Sequence, residues 1–414
     1  MGRTAIVMLM PALVFAGTSI DFQRDVRPIL SNACFHCHGP DPATQQAGLR
    51  LDTREGLFGD RKTGPAVVAG NPEASRLYRR VSEQKPALRM PPPHAHKDLT
   101  PTQVETLRAW IEQGAAWKQH WAFAAPAKAP LPDVNNAAWV RNPIDRFVLS
   151  RLESDGLAPA PEADRRTLAR RVSLDLTGLP PRPEEVDAFL RDKSPTAYEK
   201  LIDRLLGSSR WGEHRARYWL DAARYADTHG LHADNYRKMW PYRDWVISAF
   251  NRNMPFDRFT LEQIAGDLLP GASTSQLVAT GFHRCNVTTN EGGVILEEAQ
   301  AMYSKDRVET TATVWLGLTV GCAACHDHKF DPVTQRDFYR LAAFFGNTTQ
   351  QPLDGNIPDP APLLVTPRQE DRARWAELAR DGSRTVTARH SVSHSIPVRG
   401  RESKPFTFAA RVKA

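Results

Sequence analysis

The sequence predicts a mainly α protein in two parts, a small N-terminal module followed by a large all-helical domain. Three observations carry this expectation. The chain has 414 residues and 41% apolar content, more than a single core of ~100 to 200 residues requires. Apolar residues recur at spacings of three and four through most of residues 142–348. Between the two parts lies AFAAPAKAPLPDVNNAA, whose Ala and Pro content marks residues 122–141 as a linker.

Residues 1–16 read as a secretion signal: Arg3, an apolar run from Ala5 to Ala16, and the small-residue exit Val14-Phe15-Ala16. That run is shorter than the ~18 to 20 apolar residues a membrane span needs, and Pro11 interrupts it. The expectation is a periplasmic or otherwise exported protein with no transmembrane span once the signal is removed. The N-terminal module, residues 21–121, opens with a helix carrying Phe22, Val26, Ile29 and Leu30. It closes with a second helix announced by Thr100-Pro101 and bearing Val104, Leu107, Trp110 and Ile111 on one face.

In residues 142–348 the stripes Ile144, Phe147, Val148, Leu152 and Tyr198, Leu201, Ile202, Leu205, Leu206 predict amphipathic helices, and Glu297 to Leu318 is the longest candidate. Residues 349–414 read as irregular: a Pro-rich stretch, a short charged helix near Glu370 to Arg380, and a basic tail.

The net charge of +7 belongs to the ends of the chain. From Gly382 onward seven Lys or Arg face a single acid, Glu402, whereas residues 17–381 balance 46 bases against 46 acids. A basic tail on a neutral body is a solvated end, and no nucleic-acid partner is expected. The five cysteines form two C-x-x-C pairs plus Cys285, and an odd count argues against a pure disulfide framework in an exported protein.

Both pairs are followed at once by histidine, as Cys34-Phe35-His36-Cys37-His38 and Cys322-Ala323-Ala324-Cys325-His326. With 13 His in the chain, chance would place both followers roughly once in a thousand such chains. Covalent haem attachment explains the coincidence. Two thiols a helical turn apart reach the two vinyl groups of one porphyrin, and the next side chain turns its imidazole to the iron. The expected cofactor is haem c, two copies, held through Cys34, Cys37, Cys322 and Cys325 with His38 and His326 as iron ligands, and the N-terminal module is expected to be class I-like cytochrome c. Other readings are a Cys₄ zinc site, a Cys₂His₂ finger using His328, simple disulfides, or a thioredoxin-like pair. Zinc leaves the two immediate histidines unexplained, and the finger has one residue between its histidines instead of ~3 to 5.

For the first iron, Met90 in Arg89-Met90-Pro91-Pro92-Pro93 offers a soft thioether on a proline-stiffened loop, with His94 and His96 as alternatives. For the second, the candidates are His283, His328 and an open distal position. His328, two residues from His326, suits a propionate or supporting role better than the opposite face.

At these residues the chain resembles the planctomycete-type cytochrome c proteins, in which a small cytochrome c module precedes a large helical domain of unassigned function. The matching stretches are FQRDVRPILSNACFHCHGP with a later RMPP, then SLDLTGLPP, WPYRDWVISAFNRNMPFDRFTLEQIAGDLLP, ATGFHR and GLTVGCAACHDHKFDPVTQRDFY. They cover about Asp21 to Asn347. The resemblance implies an exported haem protein, often encoded near sulfatases and glycan-degrading enzymes. It also implies a further C-terminal domain in relatives, so this chain reads as C-terminally truncated. Cys285 stands where relatives usually have Asn.

From Trp211 to Trp245 eight Trp or Tyr are interleaved with Arg and Asp, a pattern that fits a core with satisfied ion pairs better than a sugar platform or an electron path. No P-loop, nucleophile elbow or dinucleotide fingerprint is present. Three functions follow as expectations: electron transfer with a redox partner protein, linked to polysaccharide catabolism; a haem-dependent oxidoreductase of peroxidase-like or glycan-oxidising type; or a glycan-binding module with structural metal or disulfides.

Overall fold

The computed structural model describes residues 19–62, 64–231 and 234–353, and beyond them 357, 360–367, 373, 376–377 and 390–393. Residues 1–16, expected from sequence to be a secretion signal, and most of the basic tail lie outside the described residues. The chain divides into two compact units, the first comprising residues 1–130 with 325–335 and the second 131–324 with 336–414. The division near 130 falls inside the Ala- and Pro-rich stretch. Residues 325–335 cluster by contact with the first unit.

The first unit is built on α1 (Arg27–Ala33), α2 (Phe35–His38), α3 (Arg54–Phe58), α4 (Arg76–Val81) and α5 (Pro101–Glu112). Before α1 a widened turn, Phe22–Val26, starts at Asp21, whose carboxylate accepts from the Gln23 and Arg24 amides and so satisfies donors that a helix start leaves open. At α5, Thr100 and Gln103 bond each other's backbone amides reciprocally, and Pro101 takes the first helical position, where no N–H is needed. Both predicted apolar faces are buried: Phe22, Val26, Ile29 and Leu30 meet Leu107, Trp110 and Ile111 in one core with Leu57 and Val67. Burying each such large side chain contributes about 1.5–3 kcal/mol. Trp110 is centred 5.5 Å from Phe22, and its indole N–H donates to the Ala116 carbonyl at 3.1 Å, so its one polar atom is not stranded.

The second unit contains α6 (Pro143–Ser154), α7 (Arg165–Thr177), α8 (Pro183–Arg191), α9 (Ala197–Leu206), α10 (Ser209–Ala222), α11 (Trp240–Asn251), α12 (Phe256–Ala265), α13 (Thr274–Ala279), α14 (Leu296–Thr311) and α15 (Gln335–Phe345). A short antiparallel pair, β1 (Leu364–Pro367) with β2 (His390–Ser393), accompanies them. One core joins Ala169 and Val172 of α7, Phe189 of α8, and Leu201 and Leu205 of α9. A larger one gathers Tyr242, Trp245 and Val246 of α11 with Phe259, Ala279 and Phe282. Helices α10 and α11 touch through Gly212, whose N–H donates to Asn251 Oδ1 at 2.8 Å, and any added Cβ there would collide with Asn251.

The fold is mainly α, as expected, but two local expectations change. In α6 the stripe Ile144, Phe147 and Val148 is exposed, and the buried residue is Leu149. The long helix ends as α14 at Thr311 and continues as a widened turn to Leu316. The aromatic stretch 211–245 is largely core: Tyr242 and Trp245 are buried, and Trp219 donates to Gln263 Oε1 at 2.9 Å, while Tyr218 and Tyr236 stay exposed.

Candidate haem-attachment sites

The first motif is wound onto a single helical turn. The His38 amide donates to the Cys34 carbonyl at 2.8 Å and the Cys37 amide to the same oxygen at 3.1 Å, which stacks Cys34 and His38 on one face with Cys37 beside them. Downstream loops hold the motif's own carbonyls: Gln46 N–H donates to Cys37 at 2.7 Å and Leu51 N–H to His38 at 2.8 Å. The chain leaves the turn at Gly39, where a Cβ would collide with the Phe35 carbonyl. Phe35 and Cys34 belong to the core, Cys37 and His38 are half-buried, and His36 is exposed.

Burial sets the protonation of this turn. Burial pushes the Cys34 thiol up to about 12, with the Cys37 sulfur adding to it, so the group stays a thiol at neutral pH. His38 is held below the ordinary histidine value, first by burial, opposed by the Gln46 backbone and reinforced by the Arg61 charge. An imidazole kept neutral is the form that binds iron. Two thiols and a neutral imidazole on one turn fit the demands of haem c.

Met90 is 39% exposed, its N–H donates to Arg80 O at 2.8 Å, and it lines a cavity of ≈ 430 Å³ with Val81, Arg89, Leu99 and Val104. Cys34, Cys37 and His38 are not among the residues lining that cavity. His94 and His96 are exposed.

The second motif is shaped differently. Gly321–Ala324 forms a tight turn anchored by buried Ala323, whose N–H donates to Val320 O at 2.9 Å. Tyr339 Oη donates to the Ala324 carbonyl at 3.0 Å. Cys325 and His326 follow that turn, and the boundary between the compact units falls between Ala324 and Cys325. Cys322, Cys325 and His326 are all exposed, and His326 Nδ1 lies 2.7 Å from the Asp327 carbonyl.

His328 is buried, and its Nδ1 accepts from the Phe330 and Asp331 amides at 3.2 and 2.9 Å. That fixes the neutral tautomer with hydrogen on Nε2, a turn-holding role. Within the first unit the same segment is held by Arg27, which donates to the Phe330 carbonyl and lies 3.9 Å from Asp331.

His283 sits in the interior of the second unit, 5% exposed, with Nε2 3.1 Å from Ile264 O and its ring between Phe282 and Phe345. Burial holds its value down at about 4, opposed by the Ile264 backbone and reinforced by the Arg307 charge, so the ring is neutral. Its Nδ1 is buried without a hydrogen-bond partner. Cys285 is a free thiol pushed up to about 12, chiefly by burial. Among the described residues no group of three or more His, Cys, Asp or Glu is placed to hold a metal ion. Among them, too, no helix is long and apolar enough to cross a membrane.

Beside His283, Arg307 is 2% exposed and joins His283 O, Asn286 Oδ1, Thr348 Oγ1 and Gln350 Oε1, a structural role. Nothing in the pattern of α14 marks it, because the buried positions of that helix mix Ala299, Tyr303, Val308 and Thr310 with the arginine.

Comparison with known proteins matches residues 34–94, which span the first motif, Met90 and His94, to the family described as Planctomycete cytochrome C. No curated protein and no solved structure matches. A second family model covers residues 143–350, just over half of the chain and including the whole second motif. The chain thus belongs to the PSCyt2 family, proteins of unknown function (DUF1549), and carries a planctomycete cytochrome C domain ahead of it.

Proposed function

We propose that the chain is an exported dihaem c-type cytochrome that passes single electrons between a donor and an acceptor protein in polysaccharide catabolism. The observation that carries the reading is the Cys34–His38 turn, which presents two thiols and a neutral imidazole together. Haem c supplies the one-electron iron couple when bound. Cys34 and Cys37 would hold it by thioethers, His38 would ligate iron, and Met90 would be the opposite ligand that raises the potential. Core packing around Phe35 and the Gln46 and Leu51 amides keep the turn from unwinding. Cys322, Cys325 and His326 would hold the second haem in an exposed setting.

The test is expression with export and c-type maturation, then intact mass and haem staining of the denatured chain. Wild type is expected to carry two haems, and Cys34→Ala and Cys322→Ala one each. A matured wild type that stays colourless or holds zinc refutes the reading. A wild type with a single haem that Cys322→Ala leaves in place and Cys34→Ala removes reduces the reading to one haem. A high-spin signal that shifts with peroxide or cyanide would instead favour the oxidoreductase.

A further inference from the structure

Within the first unit, the stretch that follows α5 is tied back to the widened turn before α1. Lys118 Nζ lies 3.0 Å from Asp21 Oδ2, Gln23 Nε2 donates to the Lys118 carbonyl, and the Trp117 ring is centred 6.1 Å from Phe22. Beside them lies a cavity of ≈ 320 Å³, bordered by five aromatic rings: Phe22, Phe35, Trp117, Phe123 and Phe330. Its charged borders cancel, with Arg27, Arg50 and Arg54 against Asp52, Glu55 and Asp331. Arg50 Nε donates to Asp52 Oδ1 at 2.6 Å and Arg27 lies 3.9 Å from Asp331, while Arg54 and Glu55 are exposed neighbours on α3.

Two polar atoms of these bordering residues lack a partner. Trp117 Nε1–H, which can only donate, and Gln23 Oε1, which can only accept, are both buried without one. The Lys118 carbonyl fixes that assignment, because it must face the Gln23 nitrogen and so leaves the oxygen stranded. Native interiors seldom strand a donor and an acceptor together, since each forfeits its hydration with nothing in return. Both residues are half-buried, so a small side-chain rotation brings either atom to a molecule in the cavity. A hydroxyl answers both atoms, because it accepts from one and donates to the other. Water has the same two capacities, but it gains nothing from five aromatic rings, against which the C–H faces of a ring compound pack. The cancelled charge gives no preference for an ion, and Asp52, Thr53 and Gln119 offer further hydrogen-bonding groups at the border.

We propose that this cavity binds an uncharged sugar ring, one pyranose whose C–H faces lie on the aromatic rings and whose hydroxyl bridges Trp117 Nε1–H and Gln23 Oε1. The volume stands at the lower end of the ~300–1,000 Å³ usual for small-molecule pockets, which suits a single ring. A ring of about 12 non-hydrogen atoms at ordinary ligand efficiency binds with a Kd of about 1 mM. The site deepens the polysaccharide half of the proposed reading. Cys34, Cys37 and His38 do not border it, so it stands or falls separately from haem attachment.

Titration of the full matured chain with glucose, galactose, mannose and xylose tests this, with glycerol, phenol and glucuronate as comparison ligands. Binding is read by saturation-transfer NMR and by the indole N–H resonances. The Trp117 resonance, identified by its loss in Trp117→Phe, should shift saturably with at least one of the four sugars. Its Kd should stay within about twofold as sodium chloride rises from about 0.05 to 0.5 M, because the ligand carries no charge. Trp117→Phe and Gln23→Met should each weaken binding by about tenfold. Trp117→Phe deletes a donor that bonds nothing in the free chain, so its urea midpoint should match wild type, which separates lost binding from lost folding. Four results overturn the proposal: no sugar saturates; glycerol binds as well as the sugars, which leaves water or an adventitious hydroxyl only; phenol or glucuronate binds tightest; or Trp117→Phe binds undiminished.

Discussion

Replacing Arg307 should reverse the usual ranking of conservative and drastic substitutions. The guanidinium reaches His283 O at 3.1 Å, Asn286 Oδ1 at 3.3 Å, Thr348 Oγ1 at 3.4 Å, and Gln350 Oε1, all neutral acceptors. Burial, only partly offset by Asp306, lowers its value from 12.5 to about 10. That shift corresponds to a cost of about 3 kcal/mol for keeping the cation inside. For a base whose folded value is lowered, the cost is present at every pH below about 10 and is relieved only between there and 12.5.

Arg307→Met removes the cost but strands two close acceptors at ~1.5–3 kcal/mol each and two distant ones at less, for a net loss of about 3 kcal/mol. Arg307→Lys keeps a buried, more strongly hydrated cation and at most one or two of the bonds, for a loss of about 3–5 kcal/mol. Urea unfolding at pH 7, read by tryptophan fluorescence, measures both. A lysine variant within about 1 kcal/mol of wild type, or clearly more stable than the methionine variant, would refute the reasoning.

Three further outcomes are expected. Gly178 ends α7 at φ +71°, and a Cβ there would lie 2.5 Å from His214 Nδ1, so Gly178→Ala should cost about 2–4 kcal/mol in the same unfolding assay. Asp192 is held down at about 2 by the Ser194 hydroxyl and amide, with Lys200 adding to them. Its contribution is therefore present above the unfolded carboxylate range near ~4 and is lost as pH falls toward 2. Acid titration of Asp192→Asn should show a shallower loss over that window. Under the proposed reading, Met90→Ala should lower the reduction potential of a haem held at Cys34–His38 while changing stability by less than about 0.5 kcal/mol, because the side chain is 39% exposed. Spectroelectrochemical titration reads this, and an unchanged potential would move the ligand to His94 or His96.

What could be read from sequence follows the range of the interactions involved. The α1 and α5 faces were legible because their caps and periodicity are local, and both faces did find a core. The α6 stripe was equally periodic yet lies exposed, since periodicity shows which face is apolar and not whether anything covers it. The allegiance of residues 325–335 was invisible. It rests on contacts such as Arg27 to Phe330 O, made 303 positions apart, and no spacing rule reports those. His328 is expected from sequence in a supporting role beside His326, and the Phe330 and Asp331 amides that its Nδ1 receives are a turn contact that spacing does not report.

The two C-x-x-C-H motifs show the same division within one chain. Identical chemistry is encoded twice in five residues, and those residues alone determine which atoms can bond a porphyrin. Their settings are fixed from outside the pentapeptide. Around the first, Leu30, Gln46 and Leu51 supply bonds that wind the turn and hold its carbonyls, and Cys34 is drawn into the core. Around the second, buried Ala323 and Tyr339 hold the start of the motif, while Cys325 and His326 follow on with the first unit. Solvent exposure is one of the levers on a haem potential, so under the proposed reading two equal motifs acquire unequal potentials from residues that no motif contains. A difference in potential is what gives electron flow along one chain a direction.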